Sequence, residues 1–271
     1  MKSKFKILIV TVLYNRIEKT LNLITSLKSL NHRGHELNHC MINNNSQEPM
    51  PKELKNYCKK FYNLKNNLGF GGACNYGIKY AIKNDYDLIF FINNDIIINQ
   101  ALYDELISKI LNYDAVTSPM KYKNGTYETN GSGYVNYFTG RGYKNKLSNK
   151  FNYFNFACTM VTTNTFREIG LFDSKSFFLY WEDADLGYRF FRNGLFVGFT
   201  TSFSIHDDHE KPIDYKMYSH YNMSSCRFFK KNTPYNLGIF SAFNGTFLRS
   251  LKRLISFQFD FFLETWVGFF K

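Results

Sequence analysis

The sequence has few cysteines and no pattern among them: Cys40, Cys58, Cys74, Cys158 and Cys226 are odd in number, widely spaced and free of any Cys-x-x-Cys pair. Neither a disulfide framework nor a structural zinc site is indicated, and a reducing cytosol is the expected compartment. Long apolar runs are missing too, since no stretch reaches the ~20 uninterrupted apolar residues needed to cross a bilayer. The charged opening, Met1 to Lys6, and the apolar residues 7–13 imitate a signal peptide, but Tyr14-Asn15-Arg16 interrupts them without a small-residue cleavage site. Residues 5–13 are expected to be a first buried strand instead. Acidic residues are in deficit, 22 against 34 basic ones, giving a formal charge of +12 that attracts polyanions. The basic residues form no dense tract and no RNP or zinc-finger signature is present, which argues against a nucleic-acid partner. Aromatics are plentiful. With 29 Phe, 20 Tyr and 44% hydrophobic residues, the 271-residue chain is too apolar for disorder and long enough for one large α/β domain.

Residues 5–13 form a dense apolar run, as expected of a parallel strand covered on both faces. Ile17, Leu21, Ile24, Leu27 and Leu30 recur at helical spacing, and Cys40-Met41-Ile42 predicts a short strand ending in Asn43-Asn44-Asn45-Ser46. A helix over 54–58, a strand over 61–64, a helix over 73–82 and a strand over 87–92 complete an alternation that predicts a doubly wound, mostly parallel sheet with helices on both faces. Residues 122–152 turn to Gly, Asn, Tyr and Lys, with Asn124-Gly125 and Asn130-Gly131 as turn dipeptides, and are expected to form hairpins or a mobile loop. Beyond them the pattern predicts order from residue 154, a helix over 182–193, a strand pair over 195–205 and a helix over 213–231. Residues 236–271 mix Phe247, Leu251, Leu254, Phe261 and Trp266 with Arg249, Lys252 and Arg253. Such a basic amphipathic helical tail either lies in a bilayer interface or packs on the domain or a second subunit.

Four places carry chemistry. Residues 88–92 are an apolar strand ending in Asn93-Asn94-Asp95, at the edge where open α/β sheets bind ligands. A carboxylate there suits Mg²⁺ or Mn²⁺ and, through it, a diphosphate; the same triplet also makes an ordinary turn or N-cap. The run Asn67-Leu68-Gly69-Phe70-Gly71-Gly72 opens a helix whose free N–H groups favour an anion, yet it is neither a Walker loop nor a complete dinucleotide fingerprint. In Trp181-Glu182-Asp183-Ala184-Asp185, carboxylate repulsion and partial burial would raise one pKa toward that of a general base. Asp183 is the base candidate, and Asp185 is expected to pair with Arg189 at i, i+4. His206, before Asp207-Asp208-His209, is a candidate metal ligand beside carboxylates.

In this order the pieces resemble the family 2 glycosyltransferases of GT-A fold, especially the rhamnosyl- and galactofuranosyltransferase-like branch. The resemblance rests on Thr11-Val12-Leu13-Tyr14-Asn15, Asn43-Asn44-Asn45-Ser46, Asn67 to Gly72 with Asn75, Asn93-Asn94-Asp95, Ile169-Gly170-Leu171-Phe172-Asp173, residues 177–189 and His206, and it covers about residues 5–231. It implies inverting transfer of a sugar from a UDP- or dTDP-sugar donor to a hydroxyl of a glycan acceptor. By position, Thr11, Val12, Tyr14, Asn15 and Asn45 would meet the base and ribose. Asn67, Gly69, Phe70, Gly71, Asn75, Asn93 and Asn94 would complete the donor site. Asp95 and His206 would hold the metal, Asp183 would deprotonate the acceptor, and Trp181 and Glu182 would touch it. Asn93 departs from the family, many of whose members have aspartate there, and Asn44 and Asn45 depart from an acidic residue near that position.

The expected organisation is a GT-A domain over 1–235, with a nucleotide-binding half over 1–118 and an acceptor-binding half over 119–235, followed by the helical segment 236–271. The expected role is cell-surface polysaccharide assembly, O-antigen or capsule, on a polyprenyl-diphosphate-linked acceptor. The expected location is the cytoplasm, at the inner face of the plasma membrane, with peripheral membrane contact and a possible homo-oligomer. The rival is a catalytically inactive nucleotide-sugar-binding module, or a basic module that binds nucleic acid.

Overall fold

A computed structural model describes residues 4–144, 151–207 and 215–270. Strand β1 (Lys6–Leu13) leads through α1 (Ile17–Lys28) to β2 (Glu36–Asn43), then α2 (Lys52–Tyr57), β3 (Lys60–Asn63), α3 (Gly69–Lys83) and β4 (Leu88–Ile92). This is the predicted alternation. Next come β5 (Ile96–Ile97), α4 (Gln100–Ile110), β6 (Ala115–Thr117), β7 (Met120–Tyr122), β8 (Tyr127–Thr129), β9 (Ser132–Asn136), β10 (Arg141–Lys144) and β11 (Tyr153–Phe154). The order closes with β12 (Cys158–Thr162), α5 (Thr163–Ile169), α6 (Glu182–Arg192), β13 (Val197–Phe199), β14 (Ser204–His206), α7 (Tyr215–Asn232), α8 (Gly238–Ile255) and α9 (Phe259–Phe270).

The main sheet has seven strands in the order β13-β6-β12-β4-β1-β2-β3. All neighbours are parallel except β12, which runs antiparallel to both β4 and β6. Successive residues of a strand face opposite sides, and that alternation builds two apolar layers. Leu8, Val10, Ile89 and Phe91 pack against Ile78 of α3 and Leu186 and Phe190 of α6. Ile7, Ile9, Leu88 and Phe90 pack against Leu23 and Leu27 of α1 and Leu102 and Leu106 of α4. Helices therefore cover both faces, as predicted. The chain runs outward from β1 through β2 to β3 and returns beside β1 as β4, so the β1/β4 junction is the point where strand order reverses.

Several elements differ from expectation. The helix expected over 73–82 is α3, which begins earlier, at Gly69, so the glycine run that was expected to open it forms its first turn. The strand pair expected over 195–205 divides: β13 joins the edge of the main sheet, whereas β14 enters a second sheet ordered β5-β14-β7-β8. Helices α4 and α5 and strands β6 and β7 were not anticipated, because their apolar runs are short. Hairpins do form in the 122–152 stretch: β7 pairs antiparallel with β8, and β9 with β10 and β11. Residues 145–150 of that stretch lie outside the described residues, as do residues 208–214.

The C-terminal helices pack on α7, and among the described residues none is long and apolar enough to cross a membrane. The inner face of α8 is small and polar, with Ser241, Ala242, Gly245, Thr246 and Ser250 buried. Gly245 is needed there, because a Cβ would stand 2.1 Å from the Gly140 carbonyl oxygen. Large apolar side chains face outward instead, among them Phe240, Phe243, Phe247, Leu251, Leu254 and Ile255. That is the reverse of an ordinary surface helix.

Candidate active site

A cavity of about 360 Å³ opens at the C-terminal ends of β1, β2 and β4. Its walls bring together Val12, Tyr14, Asn67, Gly69, Phe70, Asn93, Asn94 and Asp95 of the predicted donor and metal residues. The loop before α3 is held by Asn44, whose Nδ2 donates to Asn67 Oδ1 (2.8 Å) and to the Gly69 carbonyl (3.2 Å), while its Oδ1 accepts from Leu68 N (2.8 Å). Gly69 sits at φ +73°, and a Cβ there would lie 1.8 Å from the Phe178 carbonyl oxygen, so only glycine lets this loop meet the segment that roofs the cavity. Phe178, Leu179 and Met217 form that roof.

Five predicted donor residues line no part of this cavity, for physical reasons. Thr11 is fully buried and its Oγ1 lies 2.9 Å from His39 Nε2; it faces the side of the sheet opposite Val12. Asn75 clasps the Phe172 backbone through both amide atoms, at 3.0 Å each. Gly71 packs against Phe172, where an added Cβ would meet Phe172 Cβ at 2.9 Å. Asn15 accepts from Ser46 Oγ (3.0 Å) and Gln47 N (2.9 Å), pinning the β1 turn to the β2 turn, and Asn45 takes a left-handed φ of 64° in the latter.

Asp95 and His206 meet because the second sheet forces them to. His206 stands opposite Ile96 across the β5–β14 ladder, and Asp207 N donates to the Asp95 carbonyl at 2.7 Å. His206 Nε2 lies 3.3 Å from Asp95 Oδ2, and Nδ1 lies 2.9 Å from Glu128 Oε2 on β8. Arg16 Nη1 reaches the same Asp95 oxygen at 3.1 Å. Burial alone would lower the His206 pKa, but hydrogen bonds and charge from Asp95 and Glu128 outweigh it and push it up to about 9. Arg16 and Glu128 were missed in the sequence. A basic residue directly after the β1 turn was a signal for Arg16, whereas Glu128 has none in its Gly- and Tyr-rich surroundings.

Carboxylate Oδ and imidazole Nε2 are both donors to a divalent ion, and Glu128 on the other nitrogen is the outer partner that metal-bound histidines carry. Among the described residues no group of three or more His, Cys, Asp or Glu is arranged for an ion. The pair fits an ion that draws its remaining ligands from phosphate and water, as Mg²⁺ does, and that displaces the His206 proton on binding.

A second cavity, about 170 Å³, is lined by Tyr153, Tyr180, Trp181, Asp183, Ala184, Tyr221 and Gly142. Two consecutive left-handed residues, Tyr180 (φ 64°) and Trp181 (φ 67°), turn the chain into α6 and set Asp183 in its first turn. Such conformations cost ~1–3 kcal/mol each. Packing of Trp181 on Phe228 and Phe229, centroids 4.9 and 5.4 Å away, holds them. Asp185 is fully buried and meets Arg189 Nε (3.2 Å), Lys231 Nζ (2.9 Å) and Asn232 Nδ2 (3.0 Å), so the i, i+4 pairing expected from the sequence is present. Glu182, expected against the acceptor, is buried away from this cavity with Oε2 unpartnered. The raised pKa falls on Glu182, pushed up to about 8 by burial and then by the Asp183 charge.

That shift has a pH consequence. Between the ordinary carboxylate range and about pH 8, folded Glu182 keeps a proton that the unfolded chain has released, so stability falls as pH rises through this window. Glu182→Gln, neutral at every pH, should melt with the wild type near pH 4.5 and a few degrees above it at pH 8. A pH-independent difference in melting temperature would show that Glu182 is ionised in the folded protein.

The fold has known counterparts. The structure of GalNAc-T7 with UDP, GalNAc and Mn²⁺ superposes with a TM-score of 0.68 at 12% identity over 88% of this chain. The present chain spans 50% of that one. Two structures of Staphylococcus aureus TarS 1-349 give TM-scores of 0.56 and, in complex with UDP-GlcNAc, 0.58, at 14% and 16% identity. They are matched over 95% and 93% of this chain, and over 89% and 73% of theirs. At such identities the likeness is one of fold, and no curated protein matches by sequence. The model of glycosyl transferase family 2 matches residues 8–170, more than half the chain, from within β1 through α5, and takes in every wall of the donor-side cavity except Phe178, Leu179 and Met217. By that match the chain belongs to glycosyltransferase family 2.

Proposed function

We propose that the protein transfers a sugar from a UDP- or dTDP-sugar to a hydroxyl of a glycan acceptor, with inversion at the anomeric carbon. One observation carries the reading: eight predicted donor and metal residues converge on one cavity at the β1/β4 switch point, with Asp95 at its edge beside His206. The diphosphate would lie near the N-terminus of α3 and the Asp95–His206 pair. Asp95 and His206 would hold Mg²⁺ or Mn²⁺, whose charge would offset that of the leaving nucleoside diphosphate; Mn²⁺ accompanies UDP in the GalNAc-T7 structure. Asp183 takes the proton of the acceptor hydroxyl as its oxygen bonds to the anomeric carbon and the bond to the diphosphate breaks. The acceptor pocket is closed by Trp181 and the tyrosines beside it.

A thermal-shift screen of nucleotide-sugars with and without Mn²⁺ tests this, because a ligand selective for the folded state raises its melting temperature. A rise with one nucleotide-sugar, larger with metal, supports the reading. No shift with any donor, together with tight oligonucleotide binding of steep salt dependence, supports the nucleic-acid-binding rival.

The finer assignment is to the rhamnosyl- and galactofuranosyltransferase-like branch, in cell-surface polysaccharide assembly on a polyprenyl-diphosphate-linked acceptor, at the cytoplasmic face of the plasma membrane. The outward apolar face of α8, carried on a chain of charge +12, supports peripheral contact with an anionic surface. Residues 1–235 would form the catalytic domain, divided near 118, with 236–271 as the membrane-facing segment or as a homo-oligomer contact.

A further inference from the structure

A third cavity, about 160 Å³, adjoins the Asp183 pocket and shares Gly142 and Tyr221 with it as walls. Four of its remaining walls are cationic: Arg141, Arg249, Lys252 and Arg253. Among the described residues none of the four pairs with a carboxylate. Arg249 is only 8% exposed. Its Nη1 donates to Ser225 Oγ at 3.2 Å and to the Gly140 carbonyl at 3.4 Å, while Nε has no partner. Arg253 lies over the rings of Tyr218 (4.5 Å) and Phe261 (5.1 Å), which fix its guanidinium without neutralising it.

Taking a guanidinium out of water is costly unless an opposite charge compensates, and none of the described residues does so for Arg249. Guanidinium groups present parallel N–H donors that match phosphate oxygens, and Lys252 adds a point charge. The space equals that of roughly five water molecules, at about 30 Å³ each. We propose that this cavity binds a phosphate or diphosphate group of the acceptor and so positions the acceptor hydroxyl at Asp183. The proposal rests on the reading of the Asp183 pocket as the place where the acceptor reacts. Two sources offer this chemistry, a phosphorylated acceptor and a phospholipid headgroup, for α8 carries Leu251 and Leu254 on its exposed side.

The test is calorimetric titration of inorganic pyrophosphate into the full chain without divalent metal, for the wild type, Arg141→Gln/Lys252→Gln and Arg16→Gln. Neither residue of the double variant is buried, and an unchanged melting temperature confirms its fold. The expected result is at least tenfold weaker binding in the double variant and wild-type binding in Arg16→Gln. Equal affinity in wild type and double variant, or a loss confined to Arg16→Gln, overturns the proposal. Sedimentation with phosphatidylglycerol vesicles separates the sources and tests membrane contact. Vesicle binding that pyrophosphate leaves intact supports the acceptor phosphate, as does no vesicle binding, which removes the membrane reading. Release by pyrophosphate in the wild type, with no binding by the double variant, assigns the cavity to headgroups and overturns the acceptor assignment. These are binding readouts, so absence of sugar transfer would remove the functional reading of the Asp183 pocket without altering them.

Discussion

Replacing Asp183 by asparagine should lower turnover by about 10²–10⁴-fold, the range typical of general-base catalysis, with donor affinity near the wild-type value. The substitution keeps size and loses basicity, and Asp183 is a wall of the smaller pocket and not of the donor-side cavity. The neighbouring Asp185→Asn should behave in the opposite way. Asp185 is fully buried against Arg189, Lys231 and Asn232, so neutralising it leaves Arg189 without its carboxylate, while Lys231 keeps Asp173, and stability should fall. Kinetics and melting curves of both variants against one acceptor decide the matter. Near-wild-type turnover for Asp183→Asn, with collapse of turnover in a folded Asp185→Asn, would show that the wrong carboxylate had been assigned.

Asp95→Ala should abolish metal-dependent binding of the nucleoside diphosphate and leave the fold intact. The loss should exceed the roughly 10–100-fold that removal of an outer-shell partner costs a metal site, because Asp95 would be a ligand itself. The fold should survive because the β5–β14 ladder and the Asp207 N to Asp95 carbonyl bond are backbone interactions. Calorimetry with UDP, with and without Mn²⁺, gives the answer. Unchanged affinity with unchanged metal dependence would remove Asp95 from the metal site and leave its contacts with Arg16 and His206 as a structural ion pair.

How far the sequence spoke for the structure depended on burial. Strands β1 and β4 were legible because both faces are covered, so their apolar runs are unbroken and polar residues appear only where the strand ends. Short strands such as β13 and β14 carry too few residues to say which sheet receives them, and adjacency in the chain wrongly suggested that they pair with each other. Within the site, Thr11 and Val12 were both assigned to the donor, yet consecutive strand residues face opposite sides and only Val12 reaches the cavity. The acidic cluster was legible as a source of one raised pKa but not of which one. That was decided by Glu182 turning into the core, an orientation set by the left-handed turn at Tyr180 and Trp181 that no pattern of hydrophobicity announces.

Residues 178–181 form a single short segment, yet Phe178 and Leu179 roof the donor-side cavity while Tyr180 and Trp181 wall the Asp183 pocket. A ligand that displaces the roof must therefore act on a backbone already held in two unfavourable conformations, which can yield only with its neighbours. If occupancy on one side moves this segment, affinity on the other changes with it. Reciprocity fixes the rest: whatever factor the donor applies to acceptor affinity, the acceptor returns to the donor. Coupling of that kind would run through four consecutive residues of one chain.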